Sequence, residues 1–179
     1  NDAGALLDRS NIKMIRCMRI LKKKYHIDEP DDVIAGEGLT HSGIVKSPNN
    51  LYAMVDHMLD NYNPDKFYEN DPKWPGTSYT INKGESTYIC LRDKADPTKL
   101  VDEDLLLFTM IHESAHMANY AGWGHDDQFW KVFKWLLHEA QAAGVYFPVN
   151  YRLHPTVFCG LNVQYNPYFD PEVVDLIKL

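Results

Sequence analysis

Residues 102–143 read DEDLLLFTMIHESAHMANYAGWGHDDQFWKVFKWLLHEAQAA, and two helical periods separated by a break run through them. From residue 98 to 147 there is no proline, and before Gly144 the only glycines are Gly122 and Gly124. Helix formers on both sides of a two-glycine break predict two helices with a sharp joint. Asp102, Glu103 and Asp104 open the first, where the helix dipole favours acids. Leu107, Ile111, Ala115 and Ala118 form its core stripe. The second helix is expected over about 126–143, with Phe129, Val132, Phe133, Leu136 and Ala140 on one face and Gly144 as its stop.

Within the first helix stands His112-Glu113-Ser114-Ala115-His116, an HExxH sequence. At i and i+4 two imidazoles project side by side, so both can reach one tetrahedral Zn²⁺ at about 2.0–2.1 Å. The histidines lie beside the core stripe, which predicts that they face a cleft wall. Zinc would lower the pKa of a water toward about 7, and Glu113, next to it, is positioned to act as general base during attack on a polarised carbonyl. HExxH also arises by chance, so the surroundings decide its weight.

Gly122-Trp123-Gly124 can reverse the chain and return His125 over the metal as a third ligand, with eight residues between it and His116. Three histidines leave one coordination position open, the arrangement of a catalytic rather than a structural site. Glu139, 23 residues after His116 and adjacent to His138, is the competing third ligand. His125 is preferred because seating Glu139 would leave the two-glycine joint unexplained. His26, His41, His57 and His154 show no ligand-like spacing.

Outward from this centre, residues 78–81 and 87–91 are β-branched and aromatic, and Asn82-Lys83-Gly84-Glu85 between them reads as a hairpin turn. Residues 61–77, with Pro64, Pro72 and Pro75, are expected to be loop. Ser47-Pro48 reads as the start of a helix carrying Leu51, Met54, Val55 and Met58. A helix over 10–25 would bury Met14, Cys17, Met18, Leu21 and Tyr25 on one face. Residues 156–159 and 161–165 read as short strands or extended chain.

The chain of 179 residues carries a net charge of −7, yet Arg9, Lys13, Arg16, Arg19, Lys22, Lys23 and Lys24 crowd into residues 9–24, along and just before the first predicted helix. That face is either a solvated helix surface or a contact for DNA through Arg9, Lys13, Arg16, Arg19 and Lys23. Cys17, Cys90 and Cys159 stand far apart with no CxxC pair, which argues against a disulfide framework and for a reducing compartment. The longest apolar run is far short of a membrane span, and the acidic start is unlike a signal peptide, so a soluble intracellular protein with no membrane contact is expected. The length suits one domain over residues 1–179. Its parts would be a helical stretch over about 8–60, a core over about 78–143 and an extended segment over 145–179.

HESAHMANYAGWGHDDQFWKVFKWLL resembles the WLM and SprT-like zinc metallopeptidases, Spartan-type proteases among them, in which HExxH is followed by Gly-His and then Phe in the next helix. The preceding STYICLRD strand and the apolar run into HExxH are similar to that family as well. The resemblance implies one catalytic zinc held by His112, His116 and His125, with Glu113 as general base. It also implies an α+β, zincin-like fold: a small antiparallel hairpin packed on the HExxH helix and a second helix, here with helices N-terminal to them. Its best-known members cleave proteins crosslinked to DNA.

A peptidase needs an oxyanion donor and a groove for extended peptide. The hairpin over 78–91 is the candidate groove edge, pairing with substrate by β-augmentation. Tyr151 and His154 are the candidate oxyanion donors. Asp126 and Asp127 either orient a ligand imidazole or cap the second helix. Trp123, Trp130 and Trp135 are expected to wall the core and joint. The expected function is therefore a zinc metalloendopeptidase acting on a protein or peptide. The alternatives are a zinc hydrolase of a non-peptide amide, or a non-catalytic zinc-containing module that binds partners through the basic helix. The oligomeric state is not legible in the sequence.

Overall fold

The computed structural model describes residues 2–25, 27 and 51–174. Its architecture among these residues is α+β, with four helices and two small sheets. Helix α1 (Asp2–Lys24) begins a full two turns before the predicted start and buries Met14, Cys17, Met18 and Leu21 as the periodicity requires. Its polar interior residues are satisfied locally: Ser10 Oγ donates to Leu6 O at 2.9 Å, and Asn11 Oδ1 accepts from Tyr62 Oη at 2.6 Å. Helix α2 (Leu51–Asn61) buries Met54, Val55 and Met58. The start read at Ser47-Pro48 lies outside the described residues, as do His26 and His41.

Residues 61–77 are not all loop. Phe67–Glu69 forms strand β1, which pairs in parallel with β3 (Ser86–Ile89), while β2 (Ser78–Ile81) pairs antiparallel with β3. The order β1-β3-β2 leaves β2 at an edge. The four-residue turn between β2 and β3, residues 82–85, takes positive φ at Asn82 (47°), Lys83 (57°) and Gly84 (130°), and Gly84 N and Glu85 N both donate to Ile81 O.

Helix α3 (Glu103–Ala118) is the centre of the molecule, packed against α1, α2, β2 and α4 (Asp127–Ala142). Leu105, Leu106 and Leu107 are buried in succession, and Met110 joins Ile111, so the core surrounds this helix where a single stripe was expected. Asp102 caps it, accepting from Leu105 N at 3.2 Å. Phe129, Val132, Phe133, Leu136 and Ala140 of α4 are buried, and Gly144 follows at φ 71°. A C-terminal hairpin, β4 (Thr156–Phe158) with β5 (Leu161–Val163), returns onto the domain.

One expectation is overturned. Cys90 and Cys159 are joined by a disulfide across a sequence separation of 69, leaving Cys17 as the free thiol. Spacing along the chain says little about proximity in the fold: Cys90 directly follows β3, Cys159 lies in the β4–β5 turn, and their Cα atoms are 6.4 Å apart. The argument from cysteine spacing to a reducing compartment thus loses its premise. No helix among the described residues is long and apolar enough to cross a membrane.

Candidate metal centre and active site

One turn of α3 supplies His112 and His116, and the joint after it supplies His125. Their ligand nitrogens all lie within 4.8 Å of one another, and His112 Nε2 is 3.1 Å from His125 Nε2. The third imidazole reaches this position because the joint is held by a set of polar contacts. Asp126 accepts from Phe129 N at 2.7 Å, from Trp123 N at 3.2 Å and, through Oδ1, from Asn119 Nδ2 at 2.9 Å. It is the N-cap of α4, while Asn119 is the C-cap of α3, so one side-chain pair ties the two helix ends together. Gly122 lies so close to this pair that a Cβ would collide with both side chains, and Gly124 takes φ 53°. Both glycines of the joint have a geometric reason.

Lys83 closes the joint from the other side. Its Nζ donates to Asn119 O at 2.8 Å and to Gly122 O at 3.0 Å, linking the β2–β3 turn to the end of α3. Burial lowers the Lys83 pKa, and the Asp126 charge opposes that fall. Burial also raises the Asp126 carboxyl, but its hydrogen bonds from Phe129, Trp123 and Asn119, with Lys83 nearby, hold it below its ordinary value.

The imidazoles are kept neutral, the form that ligates a metal. Burial, reinforced by His116 and His125, pulls His112 down to about 3. Burial, then His125 and Lys83, pulls His116 to about 4, against the attraction of Asp126. Burial lowers His125 as well.

Glu113 is 3% exposed and both its carboxylate oxygens are engaged. Ser78 Oγ donates to Oε1 at 2.9 Å and Thr80 Oγ1 to Oε2 at 2.6 Å. Burial raises its pKa above the ordinary value, and the Thr80 and Ser78 hydroxyls oppose that rise. Sequence reasoning missed this pair. The available signal was strand alternation, which puts Ser78 and Thr80 on one face of β2 while Tyr79 stacks on Tyr88 across the other.

An open cleft of about 810 Å³ runs between β2 with its turn and the joint over 119–126, lined by His112, Glu113, His116 and His125. Other residues singled out in the sequence lie elsewhere. Tyr151 is buried with Leu105 and Phe158, edge-on to Phe108 at 5.1 Å, and His154 is exposed beyond it; neither lines the cleft. Asp127 is exposed in the first turn of α4. Glu139 is buried on the α1 side, where Lys24 Nζ meets its Oε1 at 2.6 Å, so it is apart from the histidine group. His57 stacks on Tyr120, and His138 on Tyr168, each at 4.2 Å. Trp135 is buried and Trp130 partly so, as core walls, while Trp123 lies in the joint, 89% exposed at the cleft rim.

Comparison with known proteins identifies the domain that contains these residues. The WLM domain profile matches residues 66–164, which include β1 to β5, the histidine group and Glu113. The chain is 32% identical over 97 residues to uncharacterized protein R325 of Acanthamoeba polyphaga mimivirus, covering 54% of this chain and 48% of that protein. It is 36% identical over 106 residues to uncharacterized protein 136R of Invertebrate iridescent virus 6, covering 59% of this chain and 51% of that protein. The chain thus spans about half the length of the curated relatives it matches. No solved structure matches it at a significant level.

Proposed function

Because the chain belongs to the WLM domain family, we propose that it is a zinc-dependent metallopeptidase that hydrolyses peptide bonds on a zincin-like α+β scaffold. The observation that carries this reading is the juxtaposition of three neutral imidazoles with a buried glutamate whose two oxygens are held by hydroxyls of an edge strand. Three imidazole donors fit zinc, and a three-residue set leaves a tetrahedral position open. His112, His116 and His125 would hold the ion, which when bound would polarise the scissile carbonyl and acidify the attacking water.

The chain's own residues supply the rest. Glu113 takes the proton of the attacking water and returns it to the leaving amine. Its burial suits both tasks, since a raised pKa makes the carboxylate a better base and its acid a usable donor. Ser78 and Thr80 fix its orientation, leaving little rotational freedom to lose during reaction. The open edge of β2 borders the cleft and can pair with an extended peptide. Helix α1 packs on both α3 and α4, which supports reading residues 1–179 as one catalytic domain.

A protein crosslinked to DNA is the narrower substrate proposed. Lys13 pairs with Glu103 at 2.9 Å and Lys24 with Glu139, so contact with DNA would fall to the exposed Arg9, Arg16, Arg19 and Lys23.

The test is digestion of an unstructured protein and of a DNA-binding protein by zinc-loaded chain, with and without single-stranded DNA, beside Glu113→Gln. Cleavage by wild type and none by a Glu113→Gln protein that still holds zinc is expected. Equal cleavage by both would remove Glu113 from the mechanism, and DNA-independent cleavage would remove DNA from the substrate.

A further inference from the structure

Beside the metal cleft lies a second cavity, of about 250 Å³, that shares Thr77, Ser78, His112 and Leu161 with it. Sharing His112, a proposed zinc ligand, places this cavity within one side chain's reach of any bond presented to the metal. Its walls include Phe108 and Thr109 of α3, Trp130 and Phe133 of α4, Phe158 of β4, and Leu161 and Val163 of β5. No Asp, Glu, Lys or Arg lines it, in a chain of which 24% is charged.

Several hydroxyls at its border are engaged, Ser78 with Glu113 among them, while Asn162 and Gln164 add amide groups to the lining. Thr109 Oγ1 donates to Leu105 O at 2.9 Å, and Tyr165 Oη donates to Asp170 Oδ2 at 2.7 Å. A charged side chain entering here would lose its hydration without gaining an ionic partner. An apolar one would gain contact with the rings of Phe108, Trp130, Phe133 and Phe158 and the branches of Leu161 and Val163. Leu161, at the mouth, is 54% exposed, so part of the wall awaits cover. The volume suits one large side chain better than a whole small-molecule ligand, whose sites run from about 300 Å³ upward.

The outer wall is not a loose flap. Cys159 and Gly160 form the β4–β5 turn at φ 50° and 81°, and the disulfide fastens that turn to Cys90 beside the catalytic sheet. The wall therefore keeps its distance from α3 and α4, which a size-selective pocket requires.

We propose that this cavity is the subsite that selects a bulky apolar residue, aromatic or branched aliphatic, next to the scissile bond, with the tethered β4–β5 hairpin as its outer wall. The inference rests on the peptidase reading and refines it by naming the substrate class.

Two readouts test it. Cleavage sites made by zinc-loaded wild type in an unstructured protein are mapped by mass spectrometry. Separately, zinc-loaded Glu113→Gln is titrated with fluorescent peptides of the form Gly-Gly-Xaa-Gly-Gly, where Xaa is Phe, Leu, Ala, Asp or Lys. Phe and Leu should exceed Ala by roughly tenfold or more in both, since a single methylene filling an apolar pocket is worth roughly 10–200-fold, and Asp and Lys should be rejected. Leu161→Ala, a change at an exposed position, should shrink the preference several-fold. Val163→Trp should fill the cavity and shift preference to Ala. Cleavage without side-chain preference would overturn the subsite and leave the peptidase standing, as would a preference that neither variant alters. Absence of cleavage would overturn the peptidase and with it the subsite's place beside a scissile bond; the peptide affinities would then decide only whether the cavity selects apolar side chains, and a flat series would refute that too.

Discussion

Asp126→Ala removes the acceptor that organises the joint, and its consequences separate stability from metal binding. The carboxylate receives the N-cap bond from Phe129 N–H, a bond from Trp123 N–H and one from Asn119. Losing an N-cap costs about 1 kcal/mol, and bonds to a charged acceptor are worth about 1.5–3 kcal/mol each when buried. The Trp123 N–H lies at the exposed cleft rim and regains water, so it contributes about 0.5 kcal/mol, while Asn119, 4% exposed, loses a charged partner and contributes at least about 1.5 kcal/mol; the total is about 3–4 kcal/mol. For a chain of this size that lowers Tm by about 5–15 °C. Because His125 sits on the segment that Asp126 anchors, zinc affinity should also fall about 10–100-fold, the usual effect of losing a ligand's supporting contact. Asp126→Asn retains a good cap acceptor and should recover most of the thermal loss. Calorimetry of the metal-free protein and chelator competition for zinc read the two effects independently. If Tm falls while zinc affinity is unchanged, His125 is not a ligand positioned by this cap, and the reasoning about the joint fails.

Thr80→Val deletes the 2.6 Å bond to Glu113 while keeping the shape of the side chain, and should lower kcat roughly tenfold or more with zinc content unchanged; an unaltered kcat would make the hydroxyl a bystander. Because His112 and His116 are held neutral far below the ordinary imidazole value of 6.5, the unfolded chain takes up protons first as pH falls. The stability contributed by these neutral imidazoles is whole above about 6.5 and is lost as pH drops toward about 4 and then 3, so denaturant melts of metal-free protein should weaken across that window; a flat profile would contradict the burial of these rings. Reduction of Cys90–Cys159, which closes a long loop, should cost about 4 kcal/mol in the chain-entropy account. Thiol titration of the denatured, unreduced protein should find Cys17 alone, and finding three thiols would refute the bond.

Features that depend on local pattern were legible in the sequence. The two helices around Gly122-Trp123-Gly124, the hairpin turn at Asn82-Lys83 and the histidine spacing all follow from periodicity and backbone chemistry, and the fold brings His112, His116 and His125 together. What was missed depends on tertiary partners. Strand β1 is three residues long in a proline-rich stretch; Phe67 and Tyr68 suit a strand, but three residues give no period to read, and the strand exists by pairing with β3. The hold of Ser78 and Thr80 on Glu113 requires knowing which face of β2 meets α3. Tyr151 was plausible as a donor only while its neighbours were unknown; Leu105 and Phe158 bury it. Glu139 resembled a ligand by spacing alone, and α1 brings Lys24 to it.

The disulfide also bears on how damage to this molecule would be detected. All three histidines and Glu113 lie inside the segment between Cys90 and Cys159. A single nick anywhere in that segment, including the exposed tip at Trp123, would leave both fragments covalently joined. Self-cleavage there would be invisible on a non-reducing gel and would appear only after reduction, so a preparation that migrates as one intact band can already have a severed active-site joint.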